Sequence, residues 1–368
     1  MMNKSALFIV LLITLSYFSS AAPAFSYSKQ KITIDYEAAE ELIRLTNLKT
    51  ISDEELSRFA SIYGNKLLIK KTSGSTGGTE EVFKKTLKEM ITTGAVNGAD
   101  PYNWEKVRME LPNTKKLIAY LKLNKDAFTT EIENRIGYYT PATLPTQELR
   151  ACLLLGGTAT GFVIGDDGTF CVALQHFGTD FEGLKTIMVH ELYHAVQQAG
   201  QNLRKKTLTD KPNYNTKATY FLIYNLWSEG TAENLGDFSL ISNPAEYSKK
   251  QQENQKKNNE RLLANFRLTE MMIYKMYTDT NARYSSVYAI GFSPVYEEVS
   301  YSVGAEMARK LEHFLGKEAL AEMVIQDPLD FITSYIKLYQ EHPKEVPYHF
   351  DKSTEVIIEK LVTWRNRI

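Results

Sequence analysis

The chain has 368 residues, 43% of them hydrophobic, with 43 Lys+Arg against 44 Asp+Glu and a formal net charge of -1. That length can hold one large domain or two medium ones around a sizeable core. The even charge excludes a general nucleic-acid surface and a polybasic membrane patch.

The N-terminus reads as an export signal. Lys4 supplies a short positive region, Ala6 to Phe18 is an apolar run broken only by Thr14 and Ser16, and Ala22-Pro23-Ala24 offers small residues for cleavage. The run falls short of the roughly 20 residues a membrane span needs. Residues 1–24 are therefore expected to be removed, leaving a periplasmic or secreted protein with no stable membrane insertion.

Residues 25–145 form an N-terminal region that reads as helical. Residues 25–35 look extended. A helix follows from Asp35 or Tyr36 to Leu48, with Ala38, Leu42, Ile43 and Leu45 on its inner face. Ser52-Asp53-Glu54-Glu55 is a capping box that opens a second helix. Ser73 to Gly78 is glycine-rich and reads as a flexible loop. No Gly-Lys-Ser/Thr follows it, which argues against a phosphate loop. A helix from Thr79 to Ile91 comes next, then two or three short ones over 102–136, punctuated by Pro112 and Asn124.

Residues 146–200 differ in character. Arg150 to Leu155 is a short apolar run that reads as a buried strand. Thr160–Ile164 and Thr169–Leu174 flank Gly165-Asp166-Asp167-Gly168, the pattern of a hairpin. Gly156, Gly157 and Gly161 have the wrong spacing for a dinucleotide fingerprint, and a strand follows them, not a helix. Cys152 and Cys171, the only two cysteines, lie on these runs. In an exported protein they can form a disulfide or remain buried thiols.

The next stretch, Thr186 to Gln198, contains His190-Glu191-Leu192-Tyr193-His194. Residues four apart share a helix face, so His190 and His194 can aim two imidazoles at one metal ion with Glu191 beside them. This is the HExxH pattern of zinc metallopeptidases, in which the Glu is a base and not a ligand. Leu184, Ile187, Met188, Leu192, Ala195, Val196 and Ala199 make the helix apolar, and Gly200 stands where it would stop. Two of the six histidines buried in such a helix would lack partners unless something bound them. His176, His313, His342 and His349 show no paired spacing.

Residues 201–368 read as a C-terminal helical region. Gln201 to Asn215 is polar and loop-like, and Lys217 to Phe238 is a long helix. Another opens at Pro244 and runs to about Met276, its Lys- and Gln-rich start, Lys249 to Lys257, reading as a solvated face. Further helices are expected over 294–315, 317–325, 330–341 and 353–365.

A zinc enzyme of this kind needs a third ligand. Gln197 and Gly200 stand where a metzincin would carry Gly and His, so that class is excluded. Glu229, in Trp227-Ser-Glu-Gly-Thr-Ala-Glu233, is the candidate on a second helix, with Glu233 the alternative. Here the chain resembles the gluzincins, and most of all a group of bacterial zinc-dependent peptidases, over 169–237 and more loosely 288–340. Glu229 lies 35 positions after His194, farther than in the most familiar gluzincins.

The resemblance implies an α+β fold, predominantly α-helical and zincin-like, with a small β-sheet next to the HExxH helix. It implies a Zn2+ cofactor, peptide or protein substrates, and Glu191 as general base. It implies Glu233 as the carboxylate that holds a ligand His through its other ring nitrogen. Tyr301, in Tyr301-Ser-Val-Gly304, is the expected oxyanion donor, with Tyr288 in Tyr288-Ala-Ile-Gly291 as the alternative. The strand from Thr169 to Gln175 is expected to be the edge that pairs with substrate, through Phe170, Val172 and Leu174. Two other functions fit the motif: a catalytically silent zincin scaffold that binds a cell-envelope partner, and a zinc hydrolase of a non-peptide bond. The intact Glu191 argues against the scaffold, because metal binding alone does not need it.

Overall fold

The computed structural model describes residues 27–164, 169–207 and 211–368. The expected export signal and the Gly165–Gly168 turn lie outside them. The sheet has four strands, β1 (Lys31–Asp35), β2 (Glu148–Leu154), β3 (Gly161–Val163) and β4 (Thr169–Ala173), in the order β1-β2-β4-β3. β1, β2 and β4 run parallel, and β3 pairs antiparallel with β4. β1 alternates, with Ile32 and Ile34 inward and Lys31 and Thr33 outward, as a half-covered strand should. β4 is buried along its whole length, which is why its sequence is a continuous apolar run.

That topology corrects one expectation. β4 lies between β2 and β3, so it is not an edge strand. Phe170, Val172 and Leu174 are each 0% exposed and cannot take a substrate. The hairpin partner β3 has capped that side of the sheet, and the edge belongs to it.

Cys152 and Cys171 are in register on β2 and β4, and both are buried thiols with no disulfide between them. Neighbouring strands stand about 4.8 Å apart. A disulfide brings Cβ atoms to about 3.8 Å, so a bond here would pinch the centre of the sheet.

Six helices fill the gap between β1 and β2: α1 (Glu37–Leu45), α2 (Asp53–Ser61), α3 (Tyr63–Thr76), α4 (Glu80–Thr93), α5 (Trp104–Leu123) and α6 (Lys125–Gly137). The Ser52 capping box is present, with Ser52 Oγ accepting from Glu55 N–H. Ser73 to Thr76 are not loop but the last turn of α3, which ends at Gly77 with φ +73°, a conformation glycine adopts without strain. Pro112 does not divide α5. It is exposed, and Trp104, Val107, Leu117, Ile118 and Leu121 bury the helix on both sides of it. That packing outweighs one lost backbone bond.

α7 (Phe181–Leu203) carries the HExxH stretch and packs into the same core as the sheet and the N-terminal helices. It runs past Gly200. A Cβ there would lie 2.4 Å from the Val324 carbonyl oxygen, so this glycine permits close approach and does not end the helix. α8 (Tyr214–Leu235) crosses α7 and belongs mainly to a second core built around Trp227, Phe266 and Tyr335. The rest is helical: α9 (Glu246–Glu260), α10 (Leu262–Thr278), α11 (Tyr284–Phe292), α12 (Val299–Leu315), α13 (Lys317–Glu322), α14 (Pro328–Glu341) and α15 (Lys352–Val362). The single helix expected from Pro244 to Met276 is two, broken at Arg261. No helix among the described residues is long and apolar enough to cross a membrane.

Candidate metal centre

Three glycines let α7, α8 and α12 meet closely enough to build a site. A Cβ on Gly230 would lie 2.3 Å from the Gly304 carbonyl carbon, and one on Gly304 would lie 2.3 Å from the Leu226 oxygen. α8 and α12 are thus in backbone contact beside Glu229 and Tyr301. A Cβ on Gly236 would lie 2.9 Å from the His190 Cβ, which gives the close approach of the end of α8 to the first histidine.

At that junction His190, His194 and Glu229 converge. His190 Nε2 and His194 Nε2 are 3.3 Å apart, and Glu229 Oε2 stands 3.5 Å from the first and 3.3 Å from the second. Zinc bonds nitrogen and oxygen at about 2.0–2.2 Å, so two corners of its tetrahedron lie roughly 3.3–3.5 Å apart. The three ligand atoms therefore form one face of a tetrahedron of the right size. These residues fit zinc by donor type and by spacing.

The flanking groups differ in kind. His190 Nδ1 faces Glu233 Oε2 at 3.6 Å, and Glu233 Oε1 accepts from Gln255 Nε2 at 2.7 Å. His194 Nδ1 faces the Gln197 amide oxygen at 2.7 Å. Glu233 therefore stands behind the trio and not within it. Glu191 lines the cleft beside His190, and its carboxylate has no hydrogen-bond partner among the described residues.

Charge in the metal-free site is distributed as a salt cluster. Burial alone would lower the His194 pKa, but the Glu229 carboxylate and Glu191 reverse that and push it up to about 9. His190 is raised against the same burial cost by Glu229. Burial would raise Glu229, yet the two imidazoles pull it well below the usual carboxylate range. Burial first, then repulsion from Glu233, hold the Glu298 carboxyl up to about 7.

The cleft beside His190 has a volume of about 540 Å³. Its floor is α7, at Ile187, His190 and Glu191. One side is α12 with Tyr301, whose ring lies parallel to the His190 ring at 6.2 Å between centroids. Burial and Glu229 raise the Tyr301 pKa well above its ordinary value. Tyr288 packs on Phe292 and Tyr284 and is not among the cleft residues. The other wall is α9, where Lys250, Gln251, Asn254, Gln255 and Asn258 face the cleft. The stretch read as a solvated face is thus a wall of the site.

Four residues of the site escaped sequence reasoning. Gln197 had a signal, because it sits three positions after His194 on the same helix face. Ser228 flanks Glu229 and gave no signal of its own. Gln255 and Glu298 come from distant turns, and only the folded chain brings them near.

A helix-borne His-His-Glu trio of zinc spacing, with an acid beside it in an open cleft, is a group that could hold a metal ion. Comparison with known families agrees: residues 56–344 match the family described as "Putative zinc dependent peptidase (DUF5700)", and the chain belongs to that family. No curated protein matches the chain, and no solved structure does.

Proposed function

We propose that this chain is a zinc-dependent peptidase of gluzincin type, with His190, His194 and Glu229 as the metal ligands and Glu191 as the general base. The observation that carries this reading is the ligand triangle, with edges of 3.3, 3.3 and 3.5 Å, whose His190 borders a cleft that Glu191 also lines. Zinc, when bound, supplies a Lewis acid that polarises a carbonyl and acidifies water. Glu191 takes a proton from the attacking water and returns it to the departing amine. Tyr301 keeps its phenolic proton at any working pH and donates it as a hydrogen bond to the developing oxyanion. Glu233 aims His190 from behind.

A peptide substrate pairs with the outer edge of β3, since Thr160 lines the cleft where that strand begins. In this reading the fold is zincin-like, with the HExxH helix beneath a mixed sheet whose edge strand is antiparallel. Export follows from Lys4, the apolar run and Ala22-Pro23-Ala24, with cleavage after Ala24. N-terminal sequencing of the mature protein from cell fractions tests it, and a chain beginning at Met1 in the membrane fraction would refute it.

Two measurements test the enzyme. Metal content should be one zinc per wild-type chain, little or none in Glu229→Ala, and intermediate in Glu233→Ala, since loss of an outer partner costs about 10–100-fold. Full occupancy in Glu229→Ala with loss in Glu233→Ala moves the third ligand to Glu233. A peptide-library digest should give cleavage that chelator abolishes and zinc restores. Tight zinc with no cleavage of any peptide would leave a silent scaffold or a hydrolase of another bond.

A further inference from the structure

The two histidines are aimed by chemically different partners, and the second partner is tied to the helix that carries Glu229. Gln197 is 1% exposed, and its amide makes four polar contacts. Nε2 donates to the Ser228 backbone oxygen at 2.9 Å and to Thr231 Oγ1 at 2.7 Å. Oε1 accepts from Ser228 Oγ at 2.9 Å and faces His194 Nδ1 at 2.7 Å.

The orientation of this amide follows from one atom. A backbone carbonyl can only accept, so the group facing the Ser228 oxygen must be the NH2 end. Thr231 Oγ1 spends its own proton on the Trp227 oxygen at 2.9 Å, which leaves it to accept the second amide hydrogen. The oxygen end must then face His194. An amide oxygen cannot donate, so the contact at 2.7 Å needs a proton on Nδ1. The Nε2 lone pair is thereby presented to Glu229 and the metal position.

We infer that Gln197 is the positioning residue for His194, fixing Nδ1 as the protonated nitrogen and joining the ring to α8 through Ser228 and Thr231. The inference rests on the proposed zinc site, and it adds a coupling within it. Glu229 sits between Ser228 and Thr231 on α8, so one glutamine sets the spacing between a ligand on α7 and a ligand on α8. It also makes the donors unequal. His190 has a carboxylate behind it and His194 a neutral amide, so His194 gives less electron density to the metal.

Two substitutions separate positioning from packing. Gln197→Met keeps the volume and removes the acceptor together with both donated bonds. Gln197→Glu keeps an acceptor toward Nδ1 but loses the two donated bonds to α8. Zinc affinity is measured for wild type and both variants by chelator competition. Nδ1–H exchange of His194 is followed by NMR on the metal-free proteins.

The expected result is a zinc affinity about 10–100-fold weaker in Gln197→Met, with His194 Nδ1–H losing its protection from exchange. Gln197→Glu should keep the protected Nδ1–H and weaken zinc less than Gln197→Met does, because it loses only the bonds to α8. Equal weakening in both variants would mean that the amide only packs α7 on α8, and would overturn the inference. Unchanged affinity and an unchanged protected Nδ1–H in Gln197→Met would overturn it too. A wild-type chain that binds no zinc sinks the proposed function, while the exchange measurement still judges Gln197.

Discussion

The cleft has two walls built on opposite principles. α7, its floor, is an apolar helix whose ligand-bearing middle lies within the main core. α9, facing it, is mostly polar: Ser248 is its one buried residue, and Tyr247 alone packs on Phe177 and Phe238. Side-chain bonds hold α9 in place. Asp180, the N-cap of α7, also accepts from Ser248 N–H at 2.7 Å. Gln252 donates to the Phe238 and Ile241 oxygens, and Gln255 donates to Glu233. Lys257 and Arg261 pair with Glu297. Packing fixes position to fractions of an ångström, whereas the exposed pairs to Glu297 do so weakly. The two proposed histidine ligands sit on the rigid floor and the cleft-lining amides on the adjustable wall. That division suits a site that must hold a metal still and admit varied peptides.

The comparison predicts its largest effect on the floor. Glu191→Gln preserves size and hydrogen bonding but cannot take a proton. Turnover should fall about 10²–10⁴-fold or more, with one zinc still bound and the melting temperature near wild type. Measured together, rate and metal content separate base from ligand. Zinc loss in this variant would make Glu191 a ligand and remove the assigned base.

How much of this was legible from sequence tracks the same division. The floor was, because a four-residue spacing and an apolar helix are local signals, and because Ser-Glu-Gly-Thr-Ala-Glu supplied the acid on α8. Glu229 groups with His190 and His194 as a set that could hold a metal ion, and Glu233 faces the other nitrogen of His190. The wall was not. Lys249 to Lys257 looks like any solvated helix, since nothing local says that a cleft lies beside it. Strand order was illegible for a related reason. The β3–β4 hairpin was legible, but not that β2 pairs parallel along the other side of β4 and leaves it no edge, which alternation cannot show in a run buried on both faces. Gly200 misled because a glycine that ends a helix and one that admits a neighbouring backbone look alike in sequence.

A second test, of the packed helices around the floor, concerns α8 against α12. In Gly304→Ala the new methyl meets the Leu226 oxygen at 2.3 Å and the Gly230 Cα at 2.7 Å. Both are backbone atoms, so the helices must separate. Overpacking of this kind costs about 1–3 kcal/mol, occasionally more. Calorimetry should show a melting temperature lowered by several degrees, roughly as that cost implies. Zinc should weaken as well, because Glu229 moves with α8. A melt unchanged from wild type would show that the helices are not interlocked there.

The salt cluster predicts a pH dependence with a definite sign. His194 is raised from 6.5 to about 9 by its carboxylate neighbours. Its contribution to the metal-free protein is complete below pH 6.5 and is lost as pH rises through 9. Zinc needs the ring neutral, so its binding displaces protons and strengthens over that same interval. The gap in melting temperature between zinc-loaded and chelator-treated protein should therefore widen from pH 6.5 to 9. Calorimetric titration in buffers of different ionisation enthalpy should show net proton release at pH 7. No proton release would mean that the imidazoles are already neutral without metal.

The smallest effect belongs to the wall, and it is the sharpest check on the comparison. Glu297 binds Lys257 and Arg261 at the far end of α9, and its backbone oxygen accepts from Asn258 Nδ2 at 3.1 Å. Glu297 is exposed, and it adopts φ +63°, followed by Glu298 at +52°. Such a conformation strains any residue but glycine. Glu297→Gln removes the ion pairs and keeps the strain. Exposed pairs contribute about 0–1 kcal/mol and weaken in salt, so the melting temperature should move by about 2 °C or less. Amide exchange near residues 257–262 should rise, and the difference from wild type should shrink as salt is added. Glu297→Gly removes the same pairs and also relieves the strain, so it should melt no lower than Glu297→Gln while freeing α9 equally. If Glu297→Gln instead destabilised the protein as much as Gly304→Ala, α9 would be part of the packed frame. The separation between a fixed floor and an adjustable wall would then have to be given up.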